Sequence, residues 1–254
     1  MSKVITETRA MEIVEEFLTE LRRGGAEDIL ALYVIGSLGG GYYRPGQSDI
    51  DTVILVRNGA GLTQARADEI AARYQKAYRV PKGFGSVLIH PAEMYPPYTK
   101  SETDEFEFTV EIARLKTQGK AVFGSVGLDA VPMPSRADFL RDVMIFERWS
   151  NRYFGAYPFQ KIQFTGCVNS MLIFLRRWLI IEKNIFEFNK FRIIDAYLAS
   201  DPPITDGQAF DLIRRKLAGE TKGTRRDLAI LRECGERFRT FFGHALLGVD
   251  IHTL

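Results

Sequence analysis

The chain has 254 residues, 46% hydrophobic and 26% charged, with a net charge of +2. That composition suits one large or two modest globular domains and excludes a disordered or fibrous chain. No run of 18 apolar residues occurs, so no membrane span is expected. Near-neutral charge without a basic tail argues against a nucleic-acid binder.

The elements follow in chain order. Residues 8–23 place Ile13, Val14, Phe17, Leu18 and Leu21 on one helical face, and Gly24-Gly25 should end that helix. "ILALYVIG" reads as a buried strand, and "DIDTVILV", closed by "RNGAG", as a second. "TQARADEIAARYQKAY" is a second helix, and "GFGSVLIH" a third strand ended by Pro91. "FEFTVEIA" alternates apolar and polar residues, as a fourth strand or the lead into a helix. "DAVPMPSRAD", with Pro132 and Pro134, reads as a linker, and every apolar stretch beyond it has helical period. The expected domains are residues 1–135, an α+β domain, and 136–254, an all-α helical bundle.

The two halves differ in charge. Residues 1–135 carry 15 basic and 18 acidic side chains, the remainder 19 and 14. An acidic half facing a basic half would suit a metal site opposite an anion clamp, although random variation between two domains explains the difference equally well. Cys167 and Cys234 lie far apart in apolar or amphipathic stretches and read as reduced core thiols. No short paired spacing joins them to His90, His244 or His252, so no zinc site is expected. Acids occupy "MSKVITETRAMEIVEEF", where a leader peptide needs an apolar stretch, and a cytoplasmic location is the default.

The chemistry lies in "YVIGSLGGGYYRPGQSDIDTVILV", residues 33–56. Residues i and i+2 of a strand share a face, so Asp49 and Asp51 should project together, about 7 Å apart, with Ile50 behind them. Two carboxylates that close repel unless a cation lies between them, and hard oxygen donors suit Mg²⁺ with a substrate's phosphates. Gly36 and Ser37, where the preceding strand turns, offer close backbone approach, a hydroxyl and amides, a seat for phosphate. A phosphate seat beside a metal-binding acid pair is the equipment of nucleotidyl transfer. Arg44 and Ser48 of the same loop are read as further phosphate contacts.

Ile35-Gly36-Ser37, eleven residues, then Asp49-Ile50-Asp51-Thr52 resembles the signature of the DNA polymerase β-like nucleotidyltransferase superfamily. Within it the chain is most similar to the aminoglycoside adenylyltransferases of the streptomycin/spectinomycin type. That likeness extends to "GGGYYRPGQSDID", "SVLIHPAEMYPP", "IARLKTQGKAVFG" and the stretch from "SMLIFLRRW" to "FRIIDAYL". The resemblance implies a mixed-sheet nucleotidyltransferase domain with flanking helices, followed by a helical bundle, with the active site between them. It implies a Mg²⁺–nucleoside triphosphate donor, ATP being the expected one, and a small hydroxyl-bearing acceptor. Asp49 and Asp51 would hold the metal, Gly36 and Ser37 the β- and γ-phosphates, and Lys190 would neutralise the triphosphate. The family also places a third carboxylate on its third strand. "FGSVLIH" has none, which leaves Glu93 and Glu107 as candidates for metal ligand or base. The missing acid motivates a second reading, a catalytically weakened nucleotide-binding or antitoxin-like regulator acting on a partner protein.

Other residues have plainer readings. Tyr42 and Tyr43 read as loop packing ahead of base stacking, and His90 as structural or a cleft wall. Arg176-Arg177 on an apolar helix suggests an interhelical ion pair. "SETDEFEFTVE" could attract a cationic substrate, or be a solvated edge.

Overall fold

The computed structural model describes residues 4–23, 28–98, 108–142, 161–220 and 223–247. They divide into two units: Met1–Ser101 with Val110–Pro134, and Glu102–Thr109 with Ser135–Leu254.

In the first unit, helix α1 (Glu7–Arg23) buries Ala10, Ile13, Val14, Phe17, Leu18 and Leu21, the stripe its helical spacing requires. Strand β1 (Ile29–Ile35) runs into a one-turn helix α2 (Gly36–Gly39). Strand β2 (Ile50–Val56), helix α3 (Gln64–Tyr78) and strand β3 (Phe84–Ile89) follow. Helix α4 (Phe108–Gln118) starts within the stretch left open between strand and helix, and it leads into strand β4 (Lys120–Phe123). The sheet order is β3-β2-β1-β4, with β1 antiparallel to both neighbours and β2 parallel to β3. This is a mixed sheet with flanking helices. Val34, Ile50, Ile54, Phe84 and Leu88 join the core formed by α1 and α3, where the Phe17 and Phe84 ring centroids lie 4.7 Å apart.

β3 is an edge strand, and its outer backbone groups need partners. Gln64 supplies them: its Nε2 donates to the Ser86 carbonyl at 2.7 Å, and its Oε1 accepts the Leu88 N–H at 2.8 Å. The side chain behaves as one residue of an absent neighbouring strand. At the other edge β4 is only four residues long and begins with an exposed lysine, which limits pairing with other chains. Lys116 of α4 donates to the Leu128 carbonyl at 2.6 Å and to that of Val131, tying down the segment beyond β4.

In the second unit, residues 136–142 are helical (α5). Helices α6 (Lys161–Lys183), α7 (Ile193–Leu198), α8 (Gly207–Leu217) and α9 (Arg225–Leu247) follow, and α6 packs on α7, α8 and α9. Phe174 stacks between Phe238 and Phe242, each 5.8 Å away, and the Tyr197 ring lies 4.9 Å from that of Trp178. Cys167 and Cys234 are buried thiols in no disulfide, pushed up to about 12 by burial. Phe164–Lys183 is long and apolar enough to cross a membrane, with mean hydropathy 1.3, and 78% of its most apolar window is buried in the unit. That burial is the signature of a bundle's core helix. Arg176 and Arg177 are both buried on it, the Arg176 guanidinium 5.9 Å from the Phe188 ring.

Candidate active site

The site is built where β1 ends and β2 and β3 begin. Gly36 turns the chain out of β1 with φ +62°, the left-handed region that glycine enters without steric cost. A Cβ there would stand 2.6 Å from Asp51 Oδ2, so even alanine would strike the carboxylate. Asp51 pairs in register with Ile35 of β1 and with Gly85 of β3. A Cβ on Gly85 would lie 3.4 Å from Asp51 Oδ1. The Asp51 carboxylate thus occupies a slot with one oxygen against each glycine. Ile50 behind it is fully buried, while Asp49 and Asp51 are half-buried, the alternation expected of a strand with one wet position. The Thr52 hydroxyl donates to the Gly85 carbonyl at 3.2 Å and fastens β3 beside the slot.

The glycine-rich loop is held by its own hydrogen bonds. The Gly40 and Tyr42 N–H groups donate to the carbonyls of Gly36 and Ser37, at 2.9 and 3.0 Å. The Tyr42 hydroxyl donates to Gln118 Oε1 at 3.3 Å. The Ser37 hydroxyl is buried with no hydrogen-bond partner. Residues 44–48 form a closed turn: the Arg44 N–H donates to Ser48 Oγ, and the Ser48 N–H to the Arg44 carbonyl, both at 2.9 Å. Ser48 is 3% exposed, so its hydroxyl pins the loop, and Arg44 is exposed on that turn. Tyr43 is buried. Desolvation, then the charge of Asp49, raises its phenol above the ordinary range.

Among the described residues no group of three His, Cys, Asp or Glu is placed to hold a metal. A pair of carboxylates fits a cation that takes one or two of them and completes its shell with water and phosphate oxygens, as Mg²⁺ does, and not a dedicated protein cage. The structure sets Glu93 apart from that pair. Glu93 lies past the far end of β3. Register sets Gly85 beside Asp51 and Ile89 beside Leu55, about 13 Å along the strand. There its Oε2 accepts the His90 N–H at 2.7 Å and caps the turn Pro91–Met94. Glu107 lies outside the described residues. Lys190 belongs to the second unit, half-buried, its Nζ 5.7 Å from the Phe191 ring centre. Its loop is ordered by Asn189 Oδ1, which accepts the Phe191 N–H at 3.1 Å, and by Glu187, which accepts the Asn189 N–H at 2.8 Å.

Sequence reading missed two features. In the sequence Gly85 reads only as a position without an acid, although it forms one wall of the Asp51 slot. A glycine in an otherwise apolar strand is a recognised sign of close approach. Tyr43 was read as loop packing, and no local signal gives its burial.

Residues 12–109 match the family model of the nucleotidyltransferase domain. No curated protein matches the sequence. The spectinomycin adenyltransferase AAD(9) from Enterococcus faecialis, solved with ATP and spectinomycin, shares 17% identity at a TM-score of 0.63. The match covers 90% of this chain and 98% of that one and shows a common fold. A toxin-antitoxin with AMP-PNP (20% identity, 54% of this chain and 87% of that one) has a TM-score of 0.29. A tri-AMPylated Shewanella oneidensis HEPN toxin in complex with MNT antitoxin (16%, 58% and 92%) has the same score. At that score neither carries an argument.

Proposed function

We propose that this chain, an enzyme with a nucleotidyltransferase domain over residues 12–109, moves AMP from ATP to a hydroxyl of a small molecule and releases pyrophosphate. The observation that carries the proposal is the Asp51 carboxylate held between Gly36 and Gly85, beside Asp49 and the unpartnered Ser37 hydroxyl. The shared fold with an adenyltransferase solved with ATP and spectinomycin supports ATP as donor and a small polyhydroxylated acceptor, an aminoglycoside among them.

In this reading Asp49 and Asp51 hold Mg²⁺, which supplies charge neutralisation on the triphosphate and on the departing pyrophosphate. Ser37 donates its hydroxyl hydrogen to a β- or γ-phosphate oxygen, and the exposed Arg44 reaches the same group. Ser48 acts through the loop it pins. Lys190, from the helical unit, adds a cation to the triphosphate. The acceptor oxygen bonds to the α-phosphorus while the bond to the bridging oxygen of pyrophosphate breaks, and the hydroxyl proton passes to a carboxylate. Glu93, which also accepts the His90 N–H, and Glu107 are the candidates for that role. The site is read as cytoplasmic, with no membrane or nucleic-acid partner.

Gly85 favours a second reading, because it stands opposite Asp51 where a third acid would complete the group. A base contributes about 10²–10⁴-fold, so its loss would leave a slow enzyme or a nucleotide-binding regulator of a partner protein. Pyrophosphate release decides between the two. Wild type and Asp49→Asn are incubated with each nucleoside triphosphate, Mg²⁺ and a panel of hydroxyl-bearing acceptors. Release that depends on ATP and on one acceptor, and is lost in the variant, is the expected result. Nucleotide binding without release from any acceptor would favour the regulator.

A further inference from the structure

We infer that Gln118, at the C-terminal end of α4, positions the glycine-rich loop, so that the turn after β1 presents the Ser37 hydroxyl to the phosphates of a nucleotide. This positioning role rests on the reading of Gly36 and Ser37 as a phosphate seat.

Contacts of both its backbone and its side chain carry the inference. A Cβ on Gly39 would overlap the carbonyl oxygens of Gln118 and Val34, so the end of α2 lies directly on the backbone of α4 and β1. Gln118 Oε1 accepts the Tyr42 hydroxyl at 3.3 Å. Tyr42 itself folds back across the turn. A Cβ on Gly40 would overlap its ring, and its N–H donates to the Ser37 carbonyl at 3.0 Å. The path is continuous: Gln118 holds Tyr42, and Tyr42 holds the backbone of Ser37, whose hydroxyl is buried without a hydrogen-bond partner.

The turn needs an outside anchor. Gly39, Gly40 and Gly41 have no side chains with which to hold it, Gly41 has φ +73°, and a Cβ there would touch nothing. Glycines lose the most conformational freedom on ordering, so such a turn keeps one shape only if its neighbours impose it. Gln118 is well placed to do so. The Gly119 N–H donates to the Leu115 carbonyl at 2.9 Å where α4 ends. Two residues before Gln118, Lys116 holds the carbonyls of Leu128 and Val131. Two residues after it, Lys120 of β4 pairs with Val34 of β1. Regular structure on both sides thus brings Gln118 to the end of β1, where the chain leaves the sheet at Gly36.

The test is the affinity for a non-hydrolysable β,γ-imido ATP analogue with Mg²⁺, measured by isothermal titration calorimetry. Wild type, Gln118→Leu, Tyr42→Phe and the double variant are compared, with Ser37→Ala beside them, and thermal unfolding is recorded without nucleotide. Gln118→Leu keeps most of the side chain's bulk, and Tyr42→Phe keeps the ring. Each is expected to bind the analogue about fivefold more weakly, the effect of losing one hydrogen bond. The double variant should bind no more weakly than either single one, because one shared interaction is removed. Wild-type affinity in either single variant, or losses that add in the double variant, overturns the inference. A lowered nucleotide-free midpoint with wild-type affinity assigns Gln118 a structural role and also overturns it. If wild type binds no analogue, or Ser37→Ala binds it as wild type does, the reading of the phosphate seat falls, and the role of Gln118 with it.

Discussion

The two ends of β3 are treated in opposite ways. Toward its far end, polar backbone groups are answered by side chains: Gln64 bonds Ser86 and Leu88, and Glu93 bonds His90. Near its start, side chains are stripped away. Gly85 lines the Asp51 slot, Gly36 closes it from the β1 side, and the Ser37 and Tyr43 hydroxyls are buried without acceptors. Unpartnered polar atoms alone do not mark a site, since Ser86 Oγ and His90 Nδ1 are also buried without partners. What distinguishes the near end is that the Ser37 orphan follows directly on Gly36, against which the Asp51 carboxylate is held. One end is finished for stability; the other is the end at which we propose that a ligand binds.

Substitutions can break or sharpen that contrast. The largest effect is expected from Asp51→Asn, which should lower kcat for pyrophosphate release by about 10³-fold. Gly36→Ala comes next. The left-handed backbone costs about 1–2 kcal/mol for a residue with a Cβ, and displacement of the Asp51 carboxylate should cost about 10²-fold in kcat. Both are measured on one preparation by urea unfolding and steady-state kinetics. Gln64→Ala should do the reverse, losing about 1–2 kcal/mol for two hydrogen bonds with kcat unchanged. Equal effects of Gly36→Ala and Gln64→Ala on kcat would dissolve the distinction between the ends.

The smallest effect lies away from both ends, between α1 and α3. A hydrogen bond from Tyr78, with help from Arg9, holds the Glu16 carboxyl below its usual range against the opposing effect of burial. A carboxylate with a depressed folded pKa stabilises above its unfolded value, and that contribution is lost as pH falls through the folded one. Tyr78→Phe should therefore differ from wild type at neutral pH by less than about 1 kcal/mol, the pair being only part-buried. The gap should narrow on acidification, as read by urea midpoints across pH 3–7, a window set around the ordinary carboxylate range.

Much of this was legible before any coordinates. The apolar stripe of α1 and the runs of β1 and β2 show in their own periodicity, and the mixed sheet is what the resemblance carried by the Gly-Ser to Asp-Ile-Asp spacing implies. β4 is hidden in the sequence because four residues carry too little pattern. "FEFTVEIA" satisfied both periods over too few residues to separate them. The placements that give the site its geometry are long-range. Asp51 meets Gly85 through a parallel register 34 residues apart in sequence. Gln64 answers an edge strand beyond its own helix, and Tyr43 is buried by residues as distant as Ile5. No local pattern encodes these, because each depends on which strand lies beside which.

The central claim is that Asp49 and Asp51 form a divalent-cation site for a nucleoside triphosphate. The most direct test is the thermal shift of wild type and Asp49→Asn with ATP, with and without Mg²⁺. A ligand at 100 times its Kd adds about 2.7 kcal/mol, so a Mg²⁺-dependent shift is expected in wild type and none in the variant. An equal shift in both proteins, or none in either, would contradict the account.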